Sequence, residues 1–518
     1  MPRVDLKSWG NLPSGVGDER YDAHVMEPLK IALVASEVAP FAKTGGLADV
    51  VAALGRALHR LGHDVRIVLP RYGNLREGSP KPTGIGFELG FPDARFDVEI
   101  ATAELPRSED ENGRALDVHF VDCPRLFHRA DYYTSDEDEP LRWCAFSRAV
   151  LEFFQHTGFR PDVIHANDWH TGLLPLLLNT RYAWDSLFAD TRTLLSIHNL
   201  GYQGAFPASC VERLGLEESR GLFHQEHLEE GRVSFLETGI IYADWLSTVS
   251  ETYAREIQTD EQGMGLAGML RERQDHLVGI TNGIDPFEWN PATDPLIPTN
   301  YSSDDLKGKS ICRSKLLERF NLNDDEGAMV IGVVSRMTAQ KGFELLPEIL
   351  TVVLQRDNVR LVVLGSGDER YERYFQWLRD TFPDRVGVYF GYSEELAHWV
   401  EAGSDLFLMP SRYEPCGLNQ MYSLAYGTVP LVRATGGLAD TVERFDPATK
   451  RGTGFVFWEF TSDALMDTIA HAYDVWQEPG TWSQLVKNGM TLDHSWETKA
   501  ERYVDLYRHI GANTPAHN

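Results

Sequence analysis

The chain has no CxxC pair and only five cysteines, Cys123, Cys144, Cys210, Cys312 and Cys416, scattered over 518 residues. That pattern excludes a zinc ribbon and a disulfide framework, and fits a reducing compartment, the cytoplasm. Positive charge is scarce. Lys and Arg number 49 against 77 Asp and Glu, which leaves −28. Such a chain binds nucleic acid and anionic membrane poorly, so an anionic ligand would need a local cluster of cations. Long apolar runs are missing too, and none approaches the ~20 residues of a membrane-spanning helix. The first 27 residues lack a signal-peptide core and read as a loosely ordered tail. Nothing recurs at a fixed period, which excludes a solenoid.

What is present is alternation of short buried strands and helices, twice over. Lys30–Ala35 reads as a strand. Leu47, Val51, Leu54, Leu58 and Leu61 mark one face of a helix that Gly62 ends, and Val65–Leu69 is the next strand. Residues 71–140 read as a β-rich insertion with polar turns. Strands follow at Val163–Ala166, Thr193–Ile197 and Trp245–Ser250. Near Val278–Asn282 a second series begins, with strands at Met329–Val334, Val359–Leu364, Val386–Phe390, Leu406–Met409 and Val429–Val432. Regular βα alternation implies mostly parallel sheets covered by helices on both faces.

In such sheets ligands meet the loops at the carboxyl ends of strands. Those loops carry the candidate residues. Lys43-Thr44-Gly45-Gly46 feeds a helix N-terminus, where free N–H groups and a lysine suit an anion. It is neither the spaced dinucleotide fingerprint nor a Walker loop. Asn167-Asp168-Trp169-His170 and His198-Asn199 end two strands of the first series. His165, His170 and His198 have no metal-binding spacing, so they suit a substrate better than a metal. Arg336 and Lys341 share one loop, a local reversal of charge in an acidic chain. Glu414 stands in a tight Glu-Pro-Cys-Gly turn. The letters TGGLAD occur at Thr44–Asp49 and again at Thr435–Asp440, which suggests two Rossmann-like halves using one solution at facing edges. The run Ser135–Glu139 contains an Asp-x-Asp spacing but reads as a solvated acidic loop.

Longer strings carry a resemblance. LVASEVAPFAKTGGLADVV, HANDWHTGLLP, SIHNLGYQG, GIIYADWLSTVSETYAREI, GITNGID, VVSRMTAQKG, SRYEPCGLNQMYSLAYGTVPLVRATGGLADTV and GFVF resemble the bacterial glycogen synthase and starch synthase family, from about Lys30 to the C-terminal helix. The resemblance implies an α/β, GT-B architecture of two Rossmann-like domains facing a deep cleft. The expected units are 28–277, completed by a returning helix in 493–518, and 278–492. It implies retaining transfer of glucose from ADP-glucose, or UDP-glucose, to the non-reducing end of glycogen or a maltooligosaccharide. No cofactor, metal, nucleic acid or membrane is implied.

Carried over motif by motif, Lys43, Gly45 and Gly46 would meet the donor's phosphates. Arg336 and Lys341 would neutralise the departing diphosphate, in place of a metal clamp, so activity should survive EDTA. Cys416, Gly417, Leu418 and Asn419 would form the phosphate loop, and Tyr392 and Asn282 would complete the donor site. Glu414 would orient the sugar, with Asp168 and His198 facing it from the first domain. Many related transferases place a second Glu seven residues after the first. Here that position is Met421, so front-face attack without a covalent glycosyl-enzyme is expected, in contrast to the paired carboxylates of retaining glycosidases.

The chain departs from the family pattern at HRADYYTSDEDEP, where Tyr132 or Tyr133 would substitute for a nucleotide-contacting tyrosine. It departs again at Asn419, where Thr is common. Rival readings are a GT-B transferase with another donor or acceptor and a non-catalytic glucan-binding homologue. The latter should have lost Lys43, Arg336, Lys341 or Glu414, and all four are present. A pyridoxal-phosphate phosphorylase would need a C-terminal lysine motif that has no counterpart here.

Overall fold

The structure is a computed structural model that describes residues 27–106 and 115–513. The expected tail lies outside these residues except for Glu27, as do residues 514–518 of the expected returning helix.

Among the described residues seventeen strands run in chain order: β1 (Lys30–Val34), β2 (Asp64–Pro70), β3 (Lys81–Gly90), β4 (Arg95–Glu104), β5 (Asp117–Asp122), β6 (Val163–Asn167), β7 (Arg192–Ile197), β8 (Ala205–Pro207), β9 (Arg232–Ser234), β10 (Trp245–Thr248), β11 (Leu277–Gly279), β12 (Met329–Val334), β13 (Val359–Gly365), β14 (Val386–Phe390), β15 (Leu406–Met409), β16 (Val429–Arg433) and β17 (Phe455–Phe457). The first sheet has the order β11-β10-β7-β6-β1-β2-β5-β4-β3 and the second β14-β13-β12-β15-β16-β17. All pairs of the second sheet are parallel. The predicted β-rich insertion becomes β3, β4 and β5. It extends the first sheet, with β3–β4 and β4–β5 antiparallel.

Burial explains why the strands read as continuous apolar runs. On β12, Met329, Ile331 and Val333 belong to one core cluster while Val330 belongs to another. On β15, Leu406 and Leu408 face the first and Phe407 and Met409 the second. A sheet covered on both faces needs apolar side chains at odd and even positions alike. The helix Gly46–Arg60 buries the predicted stripe at Val51, Leu54 and Leu58, and Gly62 at φ +90° follows its end. The helix Trp496–Asn513 returns to the first sheet. Trp496, Tyr503 and Tyr507 join that sheet's core, and the Tyr507 hydroxyl bonds His165 Nδ1 at 2.8 Å. Among the described residues no helix is long and apolar enough to cross a membrane.

The acidic run is exposed over residues 135–137, as a solvated loop should be, and its acids are also paired. Arg129 reaches both acids of the Asp-x-Asp pair, Asp136 at 2.7 Å and Asp138 through its second nitrogen, and Arg213 pairs with Glu137. The arginines lie seven or more residues away along the chain, so the pairing is not visible in the run itself.

Candidate active site

Both sheets reverse their direction of growth once. In the first, β1 leads outward to β2 while β6 lies on its other side. In the second, β12 leads to β13 while β15 lies on its other side. These switch points are where neighbouring loops diverge and leave a crevice. The loops after β1, β6, β12 and β15 all open into one cavity of about 630 Å³. All fourteen candidate residues line it: Lys43, Gly45, Gly46, Asp168, His198, Asn282, Arg336, Lys341, Tyr392, Glu414, Cys416, Gly417, Leu418 and Asn419.

The second-sheet wall is built from two loops locked together. Lys341 ends a short 3-10 turn, and Gly342 at φ +71° follows it. A Cβ at Gly342 would stand 1.9 Å from the Pro410 carbonyl oxygen, so only glycine lets the two loops approach. Across this seam Lys341 Nζ donates to Glu414 Oε2 at 2.7 Å. Ser411 Oγ donates to the same oxygen at 3.0 Å. Glu414 is only 5% exposed, so its carboxylate is held by two donors in a largely dry site. Arg336 is exposed at the mouth and has no ion pair among the described residues. Gly417 takes φ +72°, which turns the chain into the helix Asn419–Ala425. Asn419 uses its Nδ2 to hold the Val334 carbonyl at 2.8 Å. The amide thus ties the Cys416–Asn419 turn to the end of β12, a role for which a Thr hydroxyl is too short. Met421 is fully buried in the core.

On the opposite wall, the predicted anion site at Lys43–Gly46 already carries carboxylates. Lys43 Nζ pairs with Asp49 at 2.7 Å. Glu37, 3% exposed, accepts from the backbone N–H of Thr44, from Gly45 N at 3.3 Å and from Thr44 Oγ1 at 2.6 Å. The Lys43 ammonium is therefore a cation already shared with a carboxylate. Tyr133, not Tyr132, faces the cavity, and its hydroxyl donates to Glu37. Tyr132 packs on Tyr72 instead.

Asp168 sits at φ 57°, ψ −176°, a conformation that costs a non-glycine residue about 1–3 kcal/mol. The strain is held in place because its Oδ1 accepts the His198 N–H at 2.7 Å. Burial pushes the Asp168 carboxyl up to about 7, while the N–H groups of His198 and Asn199 pull the other way. Burial also lowers His198 to about 4, so its ring is neutral at pH 7. Asn167 spends its Nδ2 on the Val34 and His165 carbonyls, which leaves Oδ1 facing His198 Nε2 at 2.9 Å. That contact places the imidazole proton on Nε2 and leaves Nδ1 as an acceptor. His165 and His170 are engaged with protein groups, His165 with Tyr507 and Ser196 and His170 with Ser36.

The two walls are docked directly. Ser250 Oγ donates to the Pro415 carbonyl at 2.7 Å. The Asn282 backbone N–H meets the Cys416 sulfur, whose thiol burial pushes up to about 12, so Cys416 acts as packing and not as a nucleophile. The second TGGLAD copy is also part of this dock. Glu256 accepts from Thr435 Oγ1 at 3.0 Å and from Gly436 N at 3.0 Å, and Asp440 accepts from Thr252 Oγ1. The expectation that both copies serve the facing edges in one way is thus corrected. The first copy lines the cavity, whereas the second receives a carboxylate of the first lobe and backs the Glu414 turn through Gly437 N to the Glu414 and Pro415 carbonyls.

Sequence reasoning did not single out Glu37 or Glu256, and named Asn167 only as part of the loop at the end of β6. Glu37 had a legible signal, a carboxylate seven residues before a TGG helix start. Glu256 had none, because its partners are 179 and 180 residues away.

Two family descriptions match the chain, "Starch synthase catalytic domain" over residues 30–272 and "Glycosyl transferases group 1" over residues 314–488. The chain is 44% identical over 484 residues to a glycogen synthase of Koribacter versatilis, covering 92% of this chain and 98% of that one. It is likewise 44% identical over 487 residues to one of Syntrophotalea carbinolica, covering 93% and 98%. Among solved structures it is similar to the catalytic domain of starch synthase IV from Arabidopsis thaliana bound to ADP and acarbose. The TM-score is 0.86 at 33% identity, covering 94% of this chain and all of that one.

Proposed function

Since this chain belongs to the glycogen synthase and starch synthase family of GT-B hexosyltransferases, we propose that it elongates an α-1,4-glucan from ADP-glucose, at the cavity between its two lobes. The observation that carries this reading is the convergence of four switch-point loops on one cavity, with Arg336 and Lys341 on one wall and Asp168 and His198 on the other. The lobes are taken as 28–277 with 493–518, and 278–492. Five buried, unpaired cysteines fit action in the cytoplasm.

In the proposed reaction the acceptor's hydroxyl oxygen attacks the anomeric carbon on the face from which the diphosphate leaves. The carbon–oxygen bond to the diphosphate breaks, and the leaving oxygen takes the hydroxyl proton. Charge grows on the diphosphate as the bond breaks, so Arg336, Lys341 and the N–H groups of Gly417 and Leu418 bind the transition state more strongly than the ground state. Tyr392, 63% exposed at the cavity rim, and Asn282 complete the donor side, with Gly45 and Gly46 beside the phosphates. Glu414, anchored by Lys341 and Ser411, receives sugar hydroxyls. His198 offers Nδ1 and Asp168 its carboxylate to the same ring.

The test is turnover with ADP-glucose, UDP-glucose and GDP-glucose on a maltooligosaccharide acceptor. ADP-glucose is expected to give the highest kcat/KM. Preference for another base would keep the transferase and remove the donor assignment, and no chain elongation with any donor would sink the reading.

Asp168 supplies a pH prediction. Its folded pKa is raised to about 7, so the carboxylate that accepts sugar hydroxyls is lost as pH falls below that value. The wild-type kcat/KM should therefore show an acid limb near pH 7. Asp168→Asn keeps an oxygen for the His198 N–H but cannot ionise. It should react more slowly and without that limb, and an unchanged limb would assign it to another group.

A further inference from the structure

Away from the cavity, we propose a site for one borderline divalent metal ion, such as Zn²⁺, formed by His224, His227 and Glu237. One ligand atom of each lies within 4.8 Å of the others. His224 precedes the short helix Gln225–Glu229 and His227 lies inside it, so three-residue spacing sets both rings on one side. The rings are 4.4 Å apart between centroids. Glu237 enters from the first turn of the helix Phe235–Tyr242.

The unsatisfied atoms point to a cation. Glu237 is 2% exposed, yet its Oε1 has no hydrogen-bond partner, and the same holds for the buried Nδ1 atoms of His224 and His227. His227 Nδ1 and Glu237 Oε1 are 2.6 Å apart without the alignment of an N–H···O bond. Two acceptor atoms and a third nearby, all short of donors in a buried spot, make a ligand set for a cation. The local sequence offers an ordinary alternative, because Ser234–Glu237 reads S-x-x-E, a capping box in which the Glu returns to the Ser N–H. Only half of that box forms. Ser234 Oγ accepts from Glu237 N at 3.2 Å, while the carboxylate turns to His227. Two imidazoles and one carboxylate suit Zn²⁺, Co²⁺ or Ni²⁺ and not Mg²⁺ or Ca²⁺, with water as a fourth ligand. The ion would staple the outer segment to a helix whose first N–H groups hold the Gly204 and Gln203 carbonyls, at the end of the loop that carries His198.

The test uses the full chain, stripped with EDTA and desalted, then titrated with Co²⁺ and competed with Zn²⁺. One equivalent of Co²⁺ with the visible bands of a tetrahedral centre is expected, displaced by Zn²⁺. His224→Ala, His227→Ala and Glu237→Gln should each weaken binding at least ~10-fold. Zn²⁺ should raise the Tm of the wild type but not of these variants. Glu288→Gln, in the separate cluster with Glu394 and His398, should bind as the wild type does. Absence of saturable binding, or binding unchanged in all three variants, would overturn the site. If one variant fails to fold in EDTA, the other two decide.

Discussion

Lys341→Ala and Glu414→Gln are each expected to lower kcat by roughly 10²–10³-fold, the first because it removes a fixed cation from the charge growing on the diphosphate, the second because it removes the carboxylate that positions the sugar hydroxyls. The structure adds a complication that makes the experiment more informative. The two side chains pair at 2.7 Å, with Glu414 almost wholly enclosed. Removing Lys341 alone leaves a buried carboxylate with Ser411 as its remaining donor, which should cost up to about 3 kcal/mol of stability. A slow Lys341→Ala enzyme would then be ambiguous between lost chemistry and a loosened loop. The double variant resolves this. Lys341→Ala with Glu414→Gln removes the stranded charge and should recover much of the lost Tm, while kcat stays as low as in either single variant or falls further. Recovery of rate together with stability would mean that the pair is scaffolding. A near-normal rate in either single variant would remove that residue from the mechanism.

Gly436→Ala should be the most damaging single methyl group in the chain's glycine-rich loops, and Gly45→Ala one of the mildest to the fold, although both occupy the same place in TGGLAD. Gly436 has φ +44°, and a Cβ there would stand 1.8 Å from the Glu414 carbonyl oxygen and 3.2 Å from that of Pro415. Backbone cannot swing aside as a side chain can, so the Glu414 turn must move. A loss of about 3 kcal/mol or more is expected, with activity falling further than stability because the displaced residue is Glu414. Gly45 lies at φ −155°, with nothing within 4 Å of its would-be Cβ. Its variant should melt with the wild type, and any defect should appear as weaker donor binding. Thermal unfolding and steady-state kinetics on the two variants check this directly. Equal melting of both would show that the two copies are structurally equivalent after all.

Those two glycines also show how far the sequence could be read. The strand and helix positions at Lys30–Val34, Gly46–Arg60 and Met329–Val334 were legible because apolar periodicity is written in adjacent residues. Lys43, Asp168, His198, Arg336, Lys341 and Glu414 were legible as polar residues in loops that follow buried strands, whereas Asn282, Tyr392 and Cys416 came only from the family resemblance. The pairing of charges was not legible. Lys43 reads as a free cation until Asp49 is seen 2.7 Å away. Asn419 reads as a weakened phosphate contact until its amide is found holding the Val334 carbonyl at the end of β12. Arg129 is found clamping two acids of the exposed acidic run.

By itself the sequence determined two sheets of buried strands, the loops that would bear function and the family to which they belong, because those depend on local pitch, turn chemistry and ordered strings. Only the tertiary structure decided which carboxylate meets which cation, which copy of a shared motif lines the cavity, and that His198 keeps its proton on Nε2. Those outcomes depend on partners up to 180 residues apart along the chain. Burial then sets what each contact does: a charge or ring nitrogen enclosed away from water answers to its nearest neighbour in space.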